Sequence, residues 1–215
     1  MKGLSGQFVK LMGLLTLSTI TAVQVGHSEN AEGDTIAYKD CLGCHGTFGQ
    51  GNSAVNAPVL ASMEAWSIRN QLQAFREGWR GTHALDLMGM AMAPSAKALK
   101  PSELPGVIKY IAALPPRTAN LPDRSSPVNV QLGKTLYGPC AACHGPAADG
   151  DEEYQAPALA YQNDAYLIRQ LKHFRDGVRG HHPDDRRGAR MAAAAQNLDD
   201  GEIVEIVRYL RSRAP

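Results

Sequence analysis

Aromatic side chains are scarce in this chain: phenylalanine, tryptophan and tyrosine together make up 6% of its 215 residues. Large packed cores lean on such rings, so a single big core is a poor fit. Two small domains fit better. Domains of that size are marginal on apolar burial alone and usually carry a staple: a disulfide, a metal or a large cofactor. Charge imbalance is absent too. The formal net charge is +1, so nothing asks for nucleic acid as a partner. No run alternates apolar and polar residues for long enough to make a sheet. No uncharged apolar run reaches the ~20 residues of a membrane span. The nearest, Leu11 to Val23, follows Lys2 and Lys10 and has the form of a secretory signal. An uncleaved N-terminal anchor is the other reading. Export would place the four cysteines in an oxidising compartment.

Those cysteines come in two pairs, and each pair precedes a histidine: CLGCHG at Cys41 to Gly46 and CAACHG at Cys140 to Gly145. The offset between them is 99 residues, and the match continues ungapped along the chain. Tyr38 meets Tyr137, Ala57-Pro58 meets Ala156-Pro157, and QLQAFREGWRG (Gln71 to Gly81) meets QLKHFRDGVRG (Gln170 to Gly180). His83 meets His182, Met92 meets Met191, and Tyr110 meets Tyr209. About a third of the aligned positions are identical, which marks a tandem duplication, and two copies are too few for a solenoid. Between the copies, Leu114 to Asn129 holds four prolines and reads as an extended linker. The organisation is then a signal over 1–28, a first domain over 29–114, a linker over 115–129 and a second domain over 130–215.

The domains are expected to be all-α. Leu104, Val107, Ile108 and Ile111 recur at helical spacing, as do Ile203, Ile206, Val207 and Leu210. Asp199 with Glu202 makes an acidic capping box. Pro105 is tolerable if Ser102 is the cap and the proline falls in the first turn. Further helices are predicted over Ala65 to Glu77 and Ala165 to Asp176, ended by Gly78 and Gly177, and a short helix should run into each CxxCH.

Two CxxC pairs could in principle hold zinc. Their separation is far too long for a zinc ribbon, however, and that reading leaves both histidines unexplained. A redox dithiol wants a βαβ context that a helical chain lacks. Haem c explains every part. The two cysteines of each pair, Cys41 with Cys44 and Cys140 with Cys143, bond the porphyrin covalently, and the next residue, His45 or His144, lies under the iron. A covalently fixed apolar disc also supplies the missing staple. For the sixth position the candidates are Met92 and Met191, each 47 residues past its histidine. His83 and His182, also in register, are rivals that read better as surface or propionate-facing residues. Met88 and Met90 lie close to Met92. Opposite them the second copy has Arg187 and Ala189, neither of which replaces a thioether.

With these residues the chain resembles the dihaem class I cytochromes c, in particular the cytochrome c4 family. The resemblance rests on both CxxCHG motifs, the following Pro58 and Pro157, the QLxxFRxGxRG segments, the Met92 and Met191 loops and the closing helices with Tyr110 and Tyr209. It implies two haem c groups, each with His and Met axial ligands, and prolines that help to orient the histidines. It also implies a periplasmic one-electron carrier rather than an enzyme, with redox proteins as partners and electrons passed to a terminal oxidase or reductase. Peripheral membrane association is compatible with that role. Two other readings stay open: a dihaem subunit of a complex, such as a sulfide-oxidising flavocytochrome, and a dihaem peroxidase. Copy two departs from the family pattern, with AAAAQNL after Met191 where copy one has a proline, expected to stiffen its loop.

Overall fold

The computed structural model of the chain describes residues 38–117 and 130–213. The expected signal therefore lies outside the described residues, as does most of the linker. Among the described residues the regular structure is helical, and extended pairing is limited to the isolated bridges Asn52–Ala57 and Asp151–Ala156.

The first domain runs from a 3-10 turn, Lys39–Cys41, into the short helix α1 (Leu42–His45), then α2 (Ala65–Arg76), α3 (Leu87–Ala98) and α4 (Leu104–Ala112). The second runs α5 (Val130–His144), α6 (Asp164–Arg175), α7 (Arg186–Ala195) and α8 (Asp200–Arg213). Ile68, Leu72 and Phe75 project from one stripe of α2 onto Val107, Ile108 and Ile111 of α4, forming the first core with Tyr38. In the second domain Leu167 packs with Ile206, Val207, Leu210 and Tyr137. Helix α5 lies close on α8 because Gly133 has no side chain: a Cβ there would run into the Glu205 carbonyl and Tyr209. The tyrosines pair within each domain, Tyr38 with Tyr110 and Tyr137 with Tyr209, at ring-centroid distances of 4.9 and 5.4 Å.

Several local expectations meet their structural counterparts here. Helix α8 opens with a reciprocal capping box: Glu202 N donates to Asp199 Oδ1 (2.8 Å) and Asp199 N to Glu202 Oε2 (3.0 Å). Gly78 and Gly177, at φ +74° and +70°, stand just past the ends of α2 and α6. Pro105 does fall in the first turn of α4, but the cap is Glu103 and not Ser102. The larger correction concerns the methionines. Met92 and Met191 sit on helices, α3 and α7, where the sequence suggested loops, and Pro94 lies inside α3. Helix α3 lacks a clear apolar stripe whereas α7 is strongly amphipathic, and both are held at their ends. Asp86 Oδ1 accepts from Gly89 N (3.0 Å) and Asp185 Oδ1 from Gly188 N (2.8 Å), capping the N-termini. At the far end Arg76 Nη1 donates to the carbonyls of Ala96 (2.8 Å) and Leu99 (2.6 Å), and Arg175 Nη1 to Leu198 O (3.2 Å).

The two domains meet through the outward faces of α2 and α6. The contacts repeat under the 99-residue offset. Arg169 donates to Asn56 O (2.9 Å), and its twin Asn70 to Gln155 Oε1 (2.7 Å). At the centre Arg80 donates to Gln71 Oε1 (2.6 Å) and Gln170 Oε1 (3.0 Å), while Arg179 donates to Gln170 Oε1 (2.6 Å) and Gln71 Oε1 (2.9 Å). Each arginine thus grips the glutamine of its own domain and that of the other. Each also lies over a phenylalanine of its own domain, Arg80 4.6 Å from the Phe75 centroid and Arg179 4.4 Å from Phe174.

Candidate haem sites

Each CxxCH ends a helix, and the glycine that follows makes the turn. Gly46 and Gly145 adopt φ of +79° and +78°, a conformation that side chains with a Cβ rarely adopt. The turn is braced from the core: Tyr38 Oη donates to Gly46 O (2.9 Å) and Tyr137 Oη to Gly145 O (2.8 Å). His45 and His144 are buried as a result. Their Nδ1 atoms lie 3.0 and 2.8 Å from the carbonyl oxygens of Pro58 and Pro157. A carbonyl can only accept, so Nδ1 carries the proton and Nε2 keeps its lone pair. Burial also lowers both histidine pKa values, favouring the neutral ring. A neutral imidazole with a free Nε2 is the form that binds a metal.

The proline carbonyls are themselves fixed across the domain boundary. Gln162 exchanges two hydrogen bonds with the Val59 backbone (2.8 and 3.0 Å), and Asn163 Nδ2 donates to Ala57 O (3.2 Å). In the other direction Glu64 Oε1 accepts from Ala158 N (3.2 Å). Each domain therefore holds the loop that orients the other's histidine.

Cys41, Cys44, His45, Met88 and Met92 line a cavity of about 690 Å³, together with the core residues Ile68, Leu72 and Phe75. Cys140, Cys143, His144 and Met191 line a second, of about 240 Å³. Met90 lines neither cavity and is 45% exposed. Met63, Gln71, Tyr166 and Gln170 line both, so the cavities share a wall. His83 and His182 line neither. They sit at the domain boundary, His182 stacked on Trp79 (6.1 Å) and His83 edge-on to His181 (6.0 Å).

All four cysteines are unpaired. Burial pushes the Cys41 thiol up to about 11 and raises that of Cys140 as well. Among the described residues no cluster of three or more His, Cys, Asp or Glu could hold a metal ion.

The shared wall carries the signal most specific for a large anionic cofactor. Arg80 and Arg179 hydrogen-bond to glutamines and a tyrosine, not to carboxylates, and the Nε of each is buried without a partner. Burial, then the neighbouring Arg80, lower the Arg179 guanidinium to about 10. Burial pushes the Tyr166 phenol up, but Arg80 and Arg179 outweigh it and pull the phenol below its ordinary value. Two buried cations facing apolar cavities call for anionic groups at the cavity edge, and haem carboxylates are such groups. This network went unread in the sequence. The repeated FRxGxRG was its visible trace, with one arginine for the end of the methionine helix and the other for the wall.

The cytochrome c family pattern matches twice, over residues 30–115 and 130–214. The chain belongs to the cytochrome c family. It is a cytochrome c4-like dihaem electron carrier, with two covalently bound haem c groups implied by its two domains. It is 32% identical over 185 residues to a thiosulfate dehydrogenase electron acceptor of Stutzerimonas stutzeri, covering 82% of this chain and 80% of that protein. Cytochrome c4 of Azotobacter vinelandii is 28% identical over 213 residues, covering 92% and 96%. Among solved structures, a thiosulfate dehydrogenase of Marichromatium purpuratum superposes with a TM-score of 0.67 at 30% identity, covering 84% of this chain and 39% of that one. Reduced cytochrome c4 of Pseudomonas stutzeri gives a TM-score of 0.67 at 24% identity over 84% of this chain and 97% of that one, a likeness of fold.

Proposed function

We propose that this cytochrome is a periplasmic one-electron carrier that accepts electrons from a thiosulfate-oxidising dehydrogenase and delivers them to a terminal oxidase or reductase. Cys41 and Cys44 would hold haem 1 covalently, with His45 and Met92 as the side chains that would bind its iron. Cys140 and Cys143 would hold haem 2, with His144 and Met191 binding its iron. The bound haem supplies a ferric/ferrous couple, whose potential is higher with His/Met than with bis-His ligation. The protein's part is to orient and exclude. Pro58 and Pro157 fix the imidazole tautomers, the methionine helices present a thioether, the two cores keep water out, and Arg80 and Arg179 hold carboxylates at the shared wall. One observation carries the reading: each cavity gathers the cysteine pair, a neutral buried histidine and a methionine, and the two cavities abut. The named relatives favour the donor class, and export rests on the N-terminal segment. Among the described residues no helix is long and apolar enough to cross a membrane.

The test is anaerobic mixing of the purified ferric protein with thiosulfate, with and without a thiosulfate dehydrogenase. Rapid reduction of both haems only in the presence of the dehydrogenase supports a carrier. Sustained thiosulfate oxidation by the protein alone, with ferricyanide added as electron acceptor, would make it an enzyme. A second reading, a dihaem unit held permanently by its dehydrogenase, is favoured by its likeness to part of the longer Marichromatium chain. It predicts co-elution with dehydrogenase activity from native extract.

A further inference from the structure

Among the positions where the domain interface departs from its own symmetry, one brings a titratable side chain to the cap of a methionine helix. His173 of α6 has Ala74 as its twin in α2. Its Nδ1 lies 3.6 Å from Asp86 Oδ1, with the two side chains 14% and 3% exposed. That distance is an ion-pair separation rather than a hydrogen bond, and Nδ1 is buried without a hydrogen-bond partner. Asp86 is the cap of α3, the helix that carries Met92. A side chain of the second domain therefore faces the carboxylate that starts the first domain's methionine helix. Asp185, the matching cap of α7, has only the twin alanine at the corresponding place.

We propose that His173 is a positioning residue for haem 1, acting through Asp86 on the Met92 helix, and that it gives haem 1 a proton-linked potential that haem 2 lacks. The proposal rests on the haem reading above and deepens it. The charged groups facing His173 are Asp86 from the first domain, Arg169 on its own helix, and Arg80 and Arg179 from the turns after α2 and α6. Burial lowers its pKa first, Asp86 opposes that, and the three guanidiniums add to the lowering. At neutral pH the ring is therefore neutral. Acidification below the ordinary histidine range adds a positive charge beside Asp86. His173 lines neither cavity, so the added charge acts through Asp86 and the α3 cap: offsetting that carboxylate favours the reduced, less positive state of haem 1, and its potential rises as pH falls. The same lowered pKa means that interface stability is present above the unfolded histidine pKa and lost as pH falls towards the folded one.

The experiment is a spectroelectrochemical titration of the holoprotein at several pH values, for wild type, His173→Ala and His173→Gln. Haem 1 is assigned as the couple displaced downward by Met92→His. In the wild type, the haem 1 potential should rise in acid while that of haem 2 stays flat. Both His173 variants should flatten haem 1. His173→Gln, which keeps an uncharged donor, should preserve the sulfur-to-iron charge-transfer band better than His173→Ala does. Two flat potentials in the wild type, or a haem 1 slope that survives in both variants, overturns the proposal. Haem content by intact mass separates these outcomes from a failure of the haem assignment itself, because a protein without two haems refutes the underlying reading instead.

Discussion

The two domains share a haem-binding scaffold but present different faces to solvent. Beside the first cavity, Leu85 (68% exposed), Leu87 (64%), Met88 and Met90 form an apolar surface on and just before α3. The same positions in the second domain are Asp184, Arg186, Arg187 and Ala189. The residues that hold the histidine and cap the methionine helix repeat, as do Gln71/Gln170 and Arg80/Arg179 of the wall, whereas these exposed positions diverge. The duplication has kept the chemistry and altered the surfaces. The count of basic residues overstates that surface difference. Of the seven basic residues between Arg169 and Arg190, Arg169 bonds to the other domain and Arg179 lies in the wall. Lys172 and Arg175 pair with Asp200. Arg186, Arg187 and Arg190 remain, and Arg190 donates to Tyr154 O (2.9 Å).

The comparison breaks most visibly at the iron. Met92→Ala should remove about half of the ferric sulfur-to-iron charge-transfer band, because haem 2 keeps Met191. Met191→Ala should remove the other half. Met90→Ala and Met88→Ala should leave the band nearly unchanged. Its survival in Met92→Ala, or its loss in Met88→Ala, would assign the ligand elsewhere.

A smaller effect is expected at the shared wall. Arg80→Gln and Arg179→Gln each leave buried glutamine oxygens short of a donor and should cost about 2 kcal/mol in chemical denaturation. Arg80 also donates to Tyr166 Oη (3.2 Å), a contact without a counterpart for Arg179, since the twin of Tyr166 is Ser67. Arg80→Gln should therefore be the more damaging of the two. Equal losses would show that the tyrosine contact contributes nothing.

The smallest effect is electrostatic. Neutralising Arg186, Arg187 and Arg190 together should flatten the fall of the bimolecular electron-transfer rate with rising salt. Replacing Leu85 and Leu87 by serine should lower that rate while leaving its salt dependence alone. If the wild-type rate ignores ionic strength, the arginines form only a solvated face.

Much of this was legible in sequence because covalent haem attachment demands adjacent residues. The CxxCH spacing, its repetition, and the apolar stripes of α2, α4, α6 and α8 are local patterns with local causes. The methionine helices were missed because their cause is not local. In α3, Pro94 and a weak apolar stripe argue against a helix, while the Arg76 bonds that hold its far end come from outside the segment. Tyr166, His173 and the Arg80–Arg179 wall escaped for the same reason, since a contact spanning some ninety residues leaves no spacing to read. The register of Met92 and Met191 depended on the duplication alone.

That duplication has a consequence for assembly. The exchange at the wall, Arg80 to Gln170 and Arg179 to Gln71, is the self-complementary pattern of a two-fold dimer, in which residue i meets j and j meets i. A single-haem half carrying this face would be equipped to pair with another copy of itself. Joining two halves in one chain replaces a concentration-dependent association by an intramolecular one, with an effective concentration set by the connecting segment. Fusion also lets the two halves mutate separately, which an identical pair cannot do, and so allows a histidine to stand on one side of the boundary where the other side has an alanine.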